Sequence, residues 1–249
     1  MLKISSKFIL KFLAIYSTII ISLISFLVLA SETSTVHEKA IIKMALGMIF
    51  FWIIMSGSLM YHFRDRFKAL FQSIPIKWQI KFILFCTFFA LFEEVITVTM
   101  TNLAPFFGSE LGKSFMTASA NYLHTVLFHS VIVFIPMFCV LAYLLSKYNF
   151  KTSHIFLLFG LVGSIAEMSM NPTNILAGIW FFVYGLMVFL PTYSIPENRN
   201  TIEPKIRHYF LAIILILISP ILLLPFSPIL MSLCISLDPV FFVETLCSS

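Results

Sequence analysis

Charge is what this sequence has least of. Asp, Glu, Lys and Arg make up only 11% of its 249 residues, where a soluble domain carries about a quarter. So few charges cannot cover a water-facing surface. The 60% hydrophobic content, the 29 Phe and the mean hydropathy of +1.01 place the chain in lipid instead. The net charge of +5 does not point to nucleic acid, because the basic residues form no stripe interleaved with exposed aromatics. Cysteine is scarce too: Cys86, Cys139, Cys234 and Cys247 show no CxxC spacing and name no chemistry. A phosphate loop is also missing. In GSELGKS (108–114) three residues, not four, separate the glycines, and the segment falls on the predicted outer side, away from cytoplasmic nucleotide.

What is abundant is long apolar runs. A membrane helix needs about 20 mostly apolar residues, and the pattern predicts seven, at 9–30, 40–60, 82–103, 122–146, 153–171, 174–194 and 208–230. The expected fold is therefore all-α: a polytopic membrane helix bundle forming one integral domain over residues 1–249, with no repeat, low-complexity tract or domain boundary. NPTN (171–174) separates the fifth and sixth runs, and Pro172 removes an N–H where the break is predicted. Pro220, Pro225 and Pro228 predict a kinked or shortened last span. Phe63, Phe67, Leu70 and Phe71 share a helical face in 62–75, which suits a short interfacial connector.

Orientation follows from Lys and Arg in the short loops. A cytoplasmic N-terminus puts 13 basic residues inside and three, Lys39, Lys43 and Lys113, outside. The C-terminus is then outside, and the plasma (inner) membrane is the expected location. The basic start, the apolar stretch and Val28-Leu29-Ala30 resemble a cleavable signal, but the run is long for one and is read as an anchor.

Against this apolar background, FFALFEEVITVTMTN (89–103) carries two adjacent carboxylates. A charge at mid-bilayer costs roughly 2.5–3.5 kcal/mol on insertion scales. Glu93 and Glu94 fall ~18–20 Å from the inner boundary at the helical rise. His129 falls ~10 Å below the outer boundary and Glu167 ~20 Å from the inner one, by the same rise. Three consecutive spans thus bring ionisable groups to one level in the outer half. Residues three or four apart share a helix face. Glu93, Glu94, Thr97 and Thr101 therefore form one polar stripe. Asn121, Thr125 and His129, with Ser130, form a second, and Gly160, Ser164, Glu167 and Asn171 a third. Together they predict a hydrated pocket. Gly160 and Gly163 are expected to serve close helix packing, and His124 to be a solvated residue at the outer interface.

The candidate catalytic residues are Glu93, Glu94, His129, Glu167 and Asn171. In an embedded hydrolase Glu94 or Glu93 acts as general base on water. His129 shuttles the proton, and Asn171 or Asn121 donates to an oxyanion. Glu94, His129 and Glu167 are also candidate ligands for a divalent metal such as Zn, Mn or Fe, though no HExxH or ExxH spacing accompanies them. Buried Glu and His equally mark proton paths in transporters, and polar groups of this kind also hold helices together in accessory membrane proteins.

The Glu93-Glu94 pair, His129 on the next span and Glu167xxxAsn171 beyond it resemble the CPBP group of intramembrane glutamate proteases, which includes the CAAX-processing enzymes. That pattern is roughly EExxxR, FxxxH and HxxxN or HxxxD. Here Val98 takes the Arg position, Thr125 the Phe position and Glu167 that of the second His. The resemblance covers some 80 residues and implies a helical membrane enzyme in which Glu93, Glu94 and His129 serve the reaction.

Overall fold

The structure, a computed structural model, describes residues 5–170, 172–226 and 228. Among them the secondary structure is helical, without strands. α1 is Ser6–Ala30, α2 Val36–Met48, α3 Gly57–Ser73, α4 Trp78–Asn102 and α5 Tyr122–Phe128. α6 is Val131–Lys147, α7 Thr152–Met170, α8 Trp180–Ser194 and α9 Ile206–Ile218.

α2 begins at a capping box. The Thr35 hydroxyl accepts the Glu38 N–H at 3.2 Å, and the Glu38 carboxylate accepts the Thr35 N–H at 2.7 Å, so two otherwise orphaned donors are satisfied. α2 runs through a π-helical stretch, Ile49–Ser56, into α3. The result is one helix of 38 residues, Val36–Ser73, about 57 Å long at 1.5 Å per residue. The stretch 62–73 is the end of this helix and not a separate connector. A hydrocarbon core of about 30 Å cannot hold that length upright, and Arg64, Asp65, Arg66 and Lys68 sit on the surplus end.

The predicted fourth span is broken. The Thr125 carbonyl accepts the N–H of His129 and of Ser130, each at 3.0 Å, and the Ser130 hydroxyl as well. The ladder slips to an i−5 bond there, and α5 and α6 meet at 41°. α7 gives way, as Pro172 predicts, to a 3₁₀ segment, Pro172–Ala177. Gly178 then turns the chain with φ +65° where a Cβ would stand 2.7 Å from the Ser17 hydroxyl. α9 likewise passes into a 3₁₀ segment, Ser219–Phe226, containing Pro220 and Pro225.

α4 and α8 form the centre: α8 packs on α7, α3 and α4, and α4 on α6 and α5. The core they share includes Trp52, Phe82, Phe138, Phe159 and Met187. α1 and α9 are peripheral and present Phe8, Phe12, Ile19, Phe210, Ile214 and Ile218 outward. Exposed apolar surface on that scale marks a lipid contact. Among the described residues four helices could cross a membrane by length and composition, or five with the bent α5–α6 pair as one; α7 and α8 are apolar but shorter. This is an integral membrane protein by that criterion.

Candidate functional site

Glu93 and Glu94 both lie on the buried side of α4, 5% and 6% exposed. Sequence spacing did not say which of the two faces inward, and the structure buries both. The Thr97 hydroxyl donates to Glu94 Oε2 at 3.1 Å. The Ser130 and Thr117 hydroxyls approach the same carboxylate. Ser130 reaches it because the chain breaks beside it; an unbroken helix would have carried its side chain elsewhere. Thr101, one turn above Thr97, is buried and accepts the Met116 N–H at 3.1 Å, which ties the 115–116 segment over α4.

Glu167 comes from α7 and is half-buried. The Tyr184 hydroxyl on α8 donates to its carboxylate. The Asn174 amide donates to the Glu167 backbone carbonyl at 3.2 Å, with Oε2 at 3.5 Å. Glu93, Glu94 and Glu167 lie near enough to one another to interact electrostatically, and Tyr184 feels all three. The site is thus two buried carboxylates on α4 and a half-buried one on α7, fringed by hydroxyls. Each carboxylate with a described partner is given a donor, as burial demands.

Two glycines make this possible. A Cβ on Gly160 would stand 2.6 Å from the Phe181 carbonyl oxygen, and one on Gly163 would stand 2.1 Å from the Tyr184 ring. Both are close-packing positions, as their sequence context suggests. They bring α8 against α7 and let Tyr184 reach Glu167. The Ser164 hydroxyl turns back to the Gly160 carbonyl at 2.8 Å and is not offered to the site.

The histidines reverse the expectation. His129 is exposed, whereas His124 is 2% exposed and its ring lies 5.0 Å from that of His129. For His129 the break at 129–130 is the reason: it is the C-cap of α5, with φ −123°, where the chain leaves the rotation on which the Asn121, Thr125 and His129 stripe depends. Asn121 caps α5, its side-chain oxygen accepting the His124 N–H at 3.2 Å, so it is occupied locally. Asn171 lies outside the described residues.

Among the described residues no three His, Cys, Asp or Glu side chains come together as metal ligands. The set Glu94, His129 and Glu167 is therefore not assembled for a metal in this arrangement. Two cavities are lined elsewhere. One, of about 310 Å³, is apolar, lies between α1, α2 and the start of α8, and touches Asn174. The other, of about 470 Å³, is polar and lies beside Lys81. Neither is lined by the three carboxylates.

Sequence reasoning missed Tyr184 and Asn174. Tyr184 had one signal, a phenol inside the apolar run WFFVYGLMVFL that would need a partner once buried. The comparisons add nothing to this geometry: no family model, no curated protein and no solved structure matches the chain.

Proposed function

We propose a seven-span protein of the plasma membrane, with a cytoplasmic N-terminus and an outer C-terminus, whose carboxylate group is the base of an embedded hydrolase. The bias of Lys and Arg supports the orientation. The number seven rests on counting α7 and α8 as spans: the 19 residues of α7 reach about 28 Å at the helical rise, close to the hydrocarbon thickness. In this reading Glu94 takes a proton from a water that attacks a carbonyl carbon, then returns it to the leaving group as the carbonyl–leaving-group bond breaks. The burial of Glu94 among hydroxyls from α4 and from the α5–α6 break carries the reading. The resemblance to the intramembrane glutamate proteases belongs here too, through the Glu93-Glu94 pair and with a peptide or ester bond as target.

A specific observation favours a second reading. Glu167 is held by Tyr184 on the neighbouring helix, two further carboxylates lie on α4, and interruptions of the α-helices occur at 129–130 and at the 3₁₀ segment Pro172–Ala177. Such breaks and acid chains also build proton-linked transport sites.

One experiment separates the readings. Purified protein is assayed against fluorogenic esters and peptides, and in proteoliposomes loaded with a pH dye, as wild type, Glu94→Gln and His129→Ala. Hydrolysis lost in Glu94→Gln supports the hydrolase. Proton flux lost in Glu94→Gln without hydrolysis supports the transport site. A folded wild type that shows neither, with Glu94→Gln merely less stable, leaves the carboxylates as helix-binding groups and sinks both.

A further inference from the structure

A second concentration of charge lies at the opposite end of α4. Lys81 sits in that helix's first turn, yet it is only 6% exposed. It is one of the 13 basic residues that the loop count assigns to the inner side, and the structure buries it. Its ammonium donates to the carbonyls of Phe71 at 2.6 Å and Ile74 at 2.9 Å. It also lies 4.9 Å from the centre of the Phe71 ring. The positive end of α4 opposes a cation there, and the unsatisfied carbonyls that close α3 hold it instead. An ammonium has three donors, and these carbonyls use two. The ion pairs among the described residues are Arg64–Asp65 and Lys68–Glu197, so no described carboxylate neutralises Lys81. A buried charge is ordinarily paired.

Lys81 lines the cavity of about 470 Å³, together with Lys68, Gln72, Glu197 and Asn198 among others. Glu197, with its side chain 82% exposed, holds Lys68 at 2.8 Å from the solvent side. Two residues further on and outside this lining, the Arg199 guanidinium lies over the Trp78 ring at 5.4 Å and donates to the Leu145 carbonyl at 2.6 Å. The first turn of α4 has neither a side-chain cap nor an acidic residue. Two cations, the third hydrogen of Lys81 and a helix N-terminus therefore converge on this cavity, and the side-chain amides of Gln72 and Asn198 add donors.

We propose that this cavity binds a phosphate group, carried by an anionic lipid headgroup or free in solution. The phosphate oxygens take the third hydrogen of Lys81 and replace Glu197 on Lys68. Lysine serves phosphate as a point charge, and basic pockets between membrane helices suit lipid headgroups.

The test uses the full-length protein in detergent. Binding is read by native mass spectrometry and by thermal shift, with phosphatidylglycerol against phosphatidylcholine, and with inorganic phosphate against chloride. Lys81→Met removes a helix cap and can unfold the protein, so Lys68→Met and Glu197→Gln carry the result, with the exposed Arg66→Gln as control. The expected outcome is selective binding that Lys68→Met weakens about tenfold, the loss of one charge-assisted hydrogen bond, and that Glu197→Gln strengthens. Binding of phosphatidylglycerol without inorganic phosphate identifies a headgroup, and binding of both identifies the phosphate itself. Indifference to Lys68→Met and Glu197→Gln, or an equal loss in Arg66→Gln, would reduce the attraction to a general surface effect and overturn the proposal.

Discussion

Gly163 lies beneath the ring of Tyr184, so close that a Cβ would stand 2.1 Å from its Cγ and Cδ2. This contact decides where the Tyr184 hydroxyl ends, and it ends on Glu167. Replacing Gly163 with Ala must displace the ring. Overpacking of this kind costs about 1–3 kcal/mol. Thermal unfolding in detergent should show Gly163→Ala destabilised. In a double-mutant cycle, Tyr184→Phe should then cost less than it does in the wild type, because the hydrogen bond is already gone. Additive costs would mean that the ring stays in place and something else yields.

Trp52 tests the π-helical stretch. Its indole N–H donates to the Val183 carbonyl at 3.0 Å across 131 residues of sequence, and the side chain is fully buried. The Ser56 hydroxyl accompanies it by donating to the Phe51 carbonyl at 2.7 Å. Interhelical hydrogen bonds in membranes are worth about 0.6 kcal/mol on average and about 1.7 at most. Trp52→Phe loses that bond and some packing, so its melting temperature should fall. Equal melting temperatures would show that the junction of the π-helical stretch with α8 rests on shape alone.

Much of this site was legible before the fold. Glu93, Glu94 and Glu167 are rare charges in apolar runs, and counting residues along each span brings them to one depth. Pro172 announced its own break through the N–H it lacks. The break at His129 and Ser130 has no such mark, since neither Pro nor Gly stands there; a slipped carbonyl bond at Thr125 makes it, and only tertiary packing selects that bond. His129 is exposed as a consequence. Lys81 illustrates the same limit. A lysine at the edge of an apolar run counts as a loop cation until the end of α3 is seen to fold back onto it.

Glu197 gives a pH-dependent reading through its pair with Lys68. The hydrogen bond from Lys68, and then its charge, hold the Glu197 carboxyl below the usual glutamate range. A depressed folded-state value stabilises the fold above the unfolded-state value, near 4.3 for Glu, and that gain is lost as pH falls through the folded one. The side chain is exposed, so the effect on the melting temperature is small and screened by salt. In an NMR titration of labelled Glu, the Glu197 midpoint should rise in Lys68→Met towards the ordinary value. An unmoved midpoint would show that the pair does not persist in solution.

The seven-span arrangement has a sharper test than counting. Whether α7 and α8 cross the membrane separately or form a re-entrant hairpin, the orientation of every other segment is the same. Only the turn between them changes side. Leu176 lies in that turn, is 59% exposed, and its carbonyl accepts the Tyr16 hydroxyl at 2.8 Å. In a background with Cys86, Cys139, Cys234 and Cys247 replaced, Leu176→Cys is probed with a membrane-impermeant maleimide. Glu110→Cys serves as the outer marker and Asp65→Cys as the inner one. Two separate spans put position 176 with position 110, labelled in intact cells. If 176 instead reacts only after permeabilisation, together with 65, α7 and α8 form a hairpin entered from the cytoplasm. The turn beside Glu167 is then reached from the cytoplasm, and the seven-span count fails.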